Sequence, residues 1–254
     1  MVRTVLFSVL LLLGITAGAK TGEQIEISRF QGEKITGIDI SGAFDIKIRQ
    51  GEETGMVVNI PAHCKNQFTV SLNENGRLKI GFKGSVKGER GDRFQAEIVC
   101  SSLESVRLSG ACRLNGEGDF SGRRLSVDLS GAATVTLEGH IEVGGNVDFS
   151  LSGAARFSGK LSAPLVNAEL SGASYLTLSG DATSGKATAS GAAHVYMGDF
   201  AFRTLNASAS GAAYLKVCAN EQLNISGSGA AKLFYRGDGR INVHTSGAST
   251  ISRF

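Results

Sequence analysis

Most of the residues in this chain that could do chemistry are serines in a repeated triplet. Ser-Gly-Ala occurs nine times, beginning at Ser41, Ser109, Ser130, Ser152, Ser171, Ser190, Ser210, Ser228 and Ser246. A catalytic serine needs a base beside it, and the four histidines do not recur with the triplet. The chain also contains no Gly-x-Ser-x-Gly elbow. The triplet is therefore predicted to be structural.

Three acidic residues form the best remaining constellation for hydrolysis. Asp128, Asp148 and Glu169 precede triplets in neighbouring repeats, so they are expected to project from the same side of a stacked sheet. Asp128 and Glu169 would then lie about 10 Å apart, near the wide end for an inverting carboxylate pair. Solvated acids on a β surface give the same pattern. A carbohydrate-active enzyme, either a polysaccharide lyase or a hydrolase, therefore stays open as the alternative to a non-enzymatic protein.

Cysteine and histidine offer little further chemistry. Cys64, Cys100, Cys112 and Cys218 allow one or two disulfides in an oxidising compartment, and their pairing is left open. His63 precedes Cys64, but no second ligand pair follows at a metal-site spacing. The sequence therefore predicts no metal and no cofactor.

The elements that carry these residues repeat with the triplet. After Ser109, successive triplets begin 18 to 22 residues apart, a period that indicates a solenoid. Apolar residues recur three positions before the serine and five after it, with mostly polar residues between. Alternation with period two is typical of strands with one buried face. Each repeat is therefore predicted to be a strand, a bend at the triplet, another strand and a second bend.

The triplet itself suits a tight corner. Its glycine supplies the positive φ that a sharp bend between strands commonly needs. Its alanine is expected to be small because the chain folds back over the core there. Its serine is expected to hydrogen-bond local backbone and to stack on the serine of the next coil, forming a ladder.

Three segments are expected along the chain. Residues 1–19 have the charged, apolar and small-residue order of a signal peptide, which predicts export to the periplasm, the outer cell surface or the medium. Residues 20–102 break the repeat and are expected to form an N-terminal β region that caps the solenoid, with "NENG" closing a hairpin. Residues 103–254 are predicted to form about eight Ser-Gly-Ala coils. No other stretch is apolar enough for a transmembrane segment.

One outward-facing set of side chains stands out as a binding surface. The set combines offsets of four and six residues after the triplet serine in consecutive repeats, and it comprises Tyr175, His194, Tyr196, Tyr214 and Phe234. Aromatic strips bind glycan rings or protein partners. The same pattern would also arise from stacking that stiffens the sheet, or from burial against the N-terminal region. Assays for ligand binding and for polysaccharide turnover would distinguish a non-enzymatic binding protein from a carbohydrate-active enzyme.

The charge of the chain argues against a nucleic-acid-binding function. The formal net charge is +3, with neither a basic run nor a nucleic-acid-reading motif, so no nucleic-acid partner is implied. A surface glycan or a protein is the expected partner, and self-association stays open, as does the final side of the outer membrane.

The segments "ITGIDISGAFDIKIRQG", at residues 35–51, and "SGAAKLFYRGDGRINVHTSGAS", at residues 228–249, resemble the putative auto-transporter adhesin head GIN domain family of Bacteroidetes-type bacteria. This family was formerly a domain of unknown function. The resemblance implies a right-handed parallel β-helix, a pectin-lyase-like solenoid with an N-terminal β region. It also implies an adhesive role at the cell envelope, and it supplies no catalytic residues. The expected function is therefore an exported, non-enzymatic, adhesin-like protein.

Overall fold

The computed structural model describes residues 23–254, apart from residues 85, 87 and 90. The predicted signal peptide lies outside the described residues. Twenty strands form one continuous sheet, and the described residues include no α-helix. A single 3₁₀ turn spans Ala62–Cys64.

The strand bounds separate short N-terminal strands from long central ones. The first ten are β1 Gln24–Arg29, β2 Gly37–Gly42, β3 Phe44–Gln50, β4 Gly55–Pro61, β5 Phe68–Leu72, β6 Arg77–Phe82, β7 Phe94–Cys100, β8 Ser105–Gly110, β9 Arg113–Glu117 and β10 Phe120–Gly122. The next ten are β11 Leu125–Leu129, β12 Thr134–Val143, β13 Asn146–Leu151, β14 Arg156–Leu170, β15 Tyr175–Ala189, β16 His194–Ala209, β17 Tyr214–Gly227, β18 Lys232–Arg236, β19 Arg240–Thr245 and β20 Thr250–Arg253.

The coils stack in parallel, which confirms the predicted β-solenoid. In the central coils each strand pairs with the equivalent strand one repeat later, so Tyr175 lies opposite His194 and His194 lies opposite Tyr214. The eight triplets from Ser109 to Ser246 are corners of a solenoid of about 7 turns.

The alternation read from the sequence gives the core correctly. Residues three before and five after the triplet serine point inward and are buried in the central coils, as Val127 and Val135 show. At the last coil the equivalent inward position, Val243, is 49% exposed because no later strand covers it among the described residues. Side-chain sizes across the core are complementary. Gly185 leaves room on one strand, and the buried Phe202 ring of the next coil fills it.

The triplet corner differs in detail from its prediction. In the corner at Ser190, the Ala193 N–H donates to the Ser190 carbonyl at 3.3 Å, and Gly191 has a φ of +70°. Ala192 is not among the positive-φ residues, so the corner has the signature of a type II′ turn. Both central residues of the turn are exposed, including the triplet alanine that was expected over the core. The buried small residue is the next one, here Ala193.

The expected ladder exists, but it is formed mainly by the backbone; among the triplet serines, the Ser190 hydroxyl adds an inter-coil bond to Leu170 O at 3.3 Å. Ala173 N–H donates to Gly153 O at 2.8 Å, and Ala192 N–H donates to Gly172 O at 2.8 Å. In the coil at Ser171, the buried Ser174 hydroxyl adds bonds to the carbonyls of Ser171 and Leu151, at 2.9 and 3.4 Å. Inter-coil main-chain bonds therefore hold the column of corners together.

The residues before Ser109 extend the same sheet. β2 and β3 stack in parallel on β8 and β9, so the triplet at Ser41 is a corner of the solenoid. β6 and β7 stack on the other side of β2 and β3. β5 pairs with β6 in the hairpin predicted from "NENG", and β1 and β4 continue the sheet from β7, all antiparallel. These antiparallel strands close one end of the stack, where a parallel coil would leave its edge open.

Candidate functional site

The predicted aromatic residues come together on one flank of the solenoid. Each lies on a strand that begins just after a corner, and alternation turns its side chain outward. We call Tyr175, His194, Tyr196, Tyr214 and Phe234 the aromatic strip. All five are partly exposed, so the N-terminal region does not cover them.

The aromatic strip is a continuous series of ring contacts, stacked around His194 and tilted around Tyr214. The Tyr175 and His194 rings are 4.7 Å apart and almost parallel, at 2°. Tyr214 lies 5.8 Å from His194 and 5.3 Å from both Tyr196 and Phe234. These separations are close to the spacing of neighbouring strands, about 4.8 Å, so the coil repeat sets the register of the rings.

Cationic side chains flank the aromatic strip. The Arg156 guanidinium lies over the Tyr175 ring, 4.2 Å from its centre. At the other end Lys232 lies opposite Tyr214 in the register, and Lys216 lies between Tyr196 and Phe234. The outward positions four and six residues after each triplet serine form two columns across the coils. From Thr134 to Thr250, neither column contains an acidic residue. The flank therefore combines aromatic faces with positive charge.

Polar groups complete this surface. An open groove beside Tyr196 is lined partly by Glu138, Lys160, Asp199 and Lys216. The Tyr196 hydroxyl lies 3.4 Å from His194 Nδ1. Desolvation by partial burial, followed by the neighbouring Tyr196, raises the pKa of Tyr214.

The three acidic residues lie on another strand face, and each has a partner. Asp128 accepts a hydrogen bond from Arg107 Nε at 3.0 Å, and Glu169 lies 3.9 Å from Lys186 Nζ. Asp148 occupies a different column and accepts from Asn167 Nδ2 at 2.9 Å and from Asn146. In the register Ser150 separates Asp128 from Glu169. The carboxylates therefore belong to exposed ion pairs and amide contacts rather than to one convergent site.

All four cysteines are buried and free. Cys112 occupies the inward position after the triplet alanine, where its thiol lies 3.5 Å from Ser109 O and 3.6 Å from Gly42 O. Cys100 lies 3.5 Å from Arg49 O, and burial raises its pKa to about 12. Cys100 and Cys112 pack within the hydrophobic core.

One group of side chains could hold a metal ion. Single ligand atoms of His63, Cys64 and Asp92 all lie within 4.8 Å of one another. His63 and Cys64 belong to the 3₁₀ turn after β4, and Asp92 comes just before β7. Sequence reasoning considered His63 and Cys64 but rejected them as a metal site, and it did not consider Asp92, which lies 28 positions after Cys64. It also missed the cations beside the aromatic strip, although Arg156 and Lys232 share the offset of four residues with Tyr175.

Stacked parallel coils closed at one end by antiparallel strands define the protein as a β-solenoid. A sequence profile described as "Putative auto-transporter adhesin, head GIN domain" matches residues 34–239. The chain belongs to this family, as the opening and closing motifs predicted. No curated protein matches the chain.

Solved structures share the fold. A "putative adhesin" from Parabacteroides merdae ATCC 43184 superposes with a TM-score of 0.83 at 17% identity, over 92% of this chain and 97% of that one. A "putative lipid binding protein" from Parabacteroides distasonis ATCC 8503 gives 0.83 at 16% identity, over 92% and 97% of the two chains. A "putative adhesin" from Bacteroides fragilis NCTC 9343 gives 0.66 at 16%, over 91% and 97%. These likenesses establish the architecture.

Membership of this family supports an adhesin-like role. None of the described residues forms a helix long and apolar enough to cross a membrane. The family assignment fits an exported protein.

Proposed function

We propose that this chain is an exported, non-enzymatic, adhesin-like protein that binds an anionic surface glycan along the aromatic strip. The observation that carries the proposal is the placement of rings and charges in the column four residues after each triplet serine. From Arg156 to Lys232 this column reads Arg, Tyr, His, Tyr, Lys, with threonine at Thr134 and Thr250 beyond.

Scaffolding alone does not require rings at these positions. Coils that present Thr134 or Thr250 in the column stack with the same main-chain register as coils that present tyrosine. The rings therefore add something beyond coil stacking. Partly exposed rings held in register offer apolar area at low entropic cost.

The flanking cations select the class of glycan. Arg156, Lys216 and Lys232 surround the rings, and no acidic side chain from the same two columns neutralises them. A guanidinium pairs with a carboxylate or sulfate in a bidentate geometry, while lysine acts as a point charge. Sugar rings stacked on the tyrosines would place uronate or sulfate groups beside these cations.

The contacts of the acidic residues favour binding over turnover. Arg107 engages Asp128, and Lys186 lies beside Glu169, so neither carboxylate is free to pair with the other across a scissile bond. A glycosidase of either stereochemistry needs two carboxyl groups on opposite sides of that bond. The proposal therefore assigns these acids to the surface.

A glycan array of neutral and acidic oligosaccharides, with parallel depolymerisation assays, tests the proposal. We expect binding to acidic glycans without turnover. The double variant Tyr175→Ser/Tyr214→Ser should weaken binding roughly 10- to 100-fold, because each lost stacking contact is worth about 0.5–1.5 kcal/mol. Arg156→Gln should reduce the preference for acidic over neutral glycans. Leu165→Ser is the matched control, since Leu165 is an exposed apolar side chain outside the aromatic strip.

Thermal melts of the same variants separate a site from a scaffold. Lost binding with an unchanged melting temperature supports the proposal. Unaffected binding with a lower melting temperature would make the aromatic strip a stiffening stack. Turnover abolished by Asp128→Asn or Glu169→Gln would establish the enzyme instead, and binding to proteins but to no glycan would reassign the ligand.

A further inference from the structure

A second site lies outside the repeat, in the segment between β3 and β8. The 3₁₀ turn Ala62–Cys64 presents His63 and Cys64 side by side at the end of β4. The segment between β6 and β7 brings Asp92 to the same place, with His63 Nε2 and Asp92 Oδ2 3.4 Å apart. Three ligand atoms of three different types thus converge from two separate parts of the chain.

Their separations are close to those of a metal centre. Tetrahedral zinc with bonds of about 2.0–2.3 Å requires its donor atoms to lie roughly 3.3–3.8 Å apart. The His63–Asp92 distance already falls in this range. The widest separation among the three ligand atoms does not exceed 4.8 Å, so a closure of about 1 Å completes the site.

Burial and charge at this point also favour a cation. Cys64 is fully buried, and the Asp92 side chain is only 10% exposed. Among the described residues His63 is the only basic side chain within ion-pair distance of Asp92, and it is charged only when protonated. Asp92 Oδ2 additionally accepts the Glu89 N–H at 2.7 Å, which fixes the orientation of the carboxylate. A cation bound beside a largely buried carboxylate offsets the cost of burying its charge.

We propose that His63 Nε2, the Cys64 thiolate and an Asp92 carboxylate oxygen bind one Zn²⁺, with water as the fourth ligand. Imidazole, thiolate and carboxylate are the three donor types that Zn²⁺ accepts, and the mixed set argues against Ca²⁺ or Mg²⁺, which prefer oxygen alone. Binding displaces the thiol proton to solvent. The ion would tie the end of β4 to the residue pair before β7, on the antiparallel strands that close one end of the solenoid.

Metal titration of the purified, reduced full chain tests this site. We expect one Zn²⁺ per chain by competition with a chromophoric chelator. Co²⁺ should replace it and produce the near-ultraviolet thiolate-to-cobalt absorption band. Cys64→Ser should abolish that band. Asp92→Asn, which leaves the buried thiol in place, should weaken Zn²⁺ binding by roughly 100-fold or more, since even outer-shell partners are worth 10- to 100-fold.

His140 provides the matched control. Its Nε2 lies 3.3 Å from Glu142 Oε2, so it forms an exposed histidine–carboxylate pair without a cysteine. His140→Ala should leave Zn²⁺ stoichiometry and affinity unchanged. The proposal is overturned if the unmodified chain binds no stoichiometric Zn²⁺, or if Cys64→Ser and Asp92→Asn bind it as tightly as the parent. Thermal melts of the metal-free variants separate ligand loss from unfolding.

Discussion

Replacing Gly172 by alanine tests the physical reason for the repeated triplet. Gly172 has a φ of +71°, and a Cβ built on it would lie 2.7 Å from the Gly153 carbonyl oxygen and 3.1 Å from its nitrogen. Two features therefore require glycine at this position: the positive φ of its own turn, and the close approach of Gly153 in the preceding coil, which leaves no room for a Cβ. The same approach recurs along the column, as at Gly191 above Gly172 and Gly211 above Gly191.

The magnitude follows from these two contributions. Holding a non-glycine residue in the left-handed region costs about 1–2 kcal/mol. The new methyl group must also push away Gly153 of the preceding coil. This weakens the Ala173–Gly153 main-chain bond of 2.8 Å, which is worth about 1 kcal/mol. We expect Gly172→Ala to lower the free energy of unfolding by about 2–3 kcal/mol. At roughly 2–4 °C per kcal/mol, the melting temperature should fall by about 4–12 °C.

Gly118 separates the two contributions. Its φ is +76°, but a Cβ there would meet nothing within 4 Å. Gly118→Ala should therefore cost only the conformational part, about 1–2 kcal/mol. Ser171→Ala should cost within about 0.5 kcal/mol, because Ser171 is exposed. Urea unfolding and thermal melts of the three variants give the comparison. If Gly172→Ala is no worse than Gly118→Ala, close stacking of the corners is not what excludes a side chain.

Two further predictions concern the core. Val127→Ala should lower the free energy of unfolding by about 2 kcal/mol, and Val243→Ala by less than about 0.5 kcal/mol. The two residues occupy equivalent inward positions, but Val127 is 0% exposed and Val243 is 49% exposed. Equal losses in urea unfolding would refute the assigned register. Burial raises the pKa of Cys100 from 9.0 to about 12, so between these values the unfolded chain binds fewer protons and the free energy of unfolding falls as pH rises. The contribution of this thiol is about 1.4 kcal/mol per pH unit. Cys100→Ala should make the measured slope shallower, and an unchanged slope would contradict the burial.

Much of the fold could be predicted because each coil of a solenoid repeats the same local sequence pattern. The apolar positions before and after each triplet were enough to predict inward residues such as Val135, and the same spacing aligned Tyr175 with His194. The burial of Ala193 instead of Ala192 was not predicted, because it depends on the type of turn. A type II′ turn puts both central residues outside the coil, a distinction that period-two alternation does not contain.

Non-repeating contacts were outside the reach of this reasoning. Asp92 meets Cys64 only because β4 and β7 pair antiparallel, which carries the segments after β4 and before β7 to the same edge. No spacing rule connects two residues through such a pairing. The cations beside the aromatic strip had a readable signal, since Arg156 and Lys232 share the offset of Tyr175, but their significance depends on the Arg156–Tyr175 contact of 4.2 Å.

The division between inward and outward positions explains how this scaffold can carry a binding surface at little cost. Corner glycines and inward apolar residues fix coil stacking through main-chain bonds and buried contacts. Outward positions four and six residues after each serine contribute little to that stacking, because threonine, arginine, tyrosine and lysine all occupy them. A ligand surface can therefore change one coil at a time without altering the fold. Under the proposed glycan-binding function, an extended ligand would account for rings grouped in the middle coils between Arg156 and Lys232, with Lys216 among them.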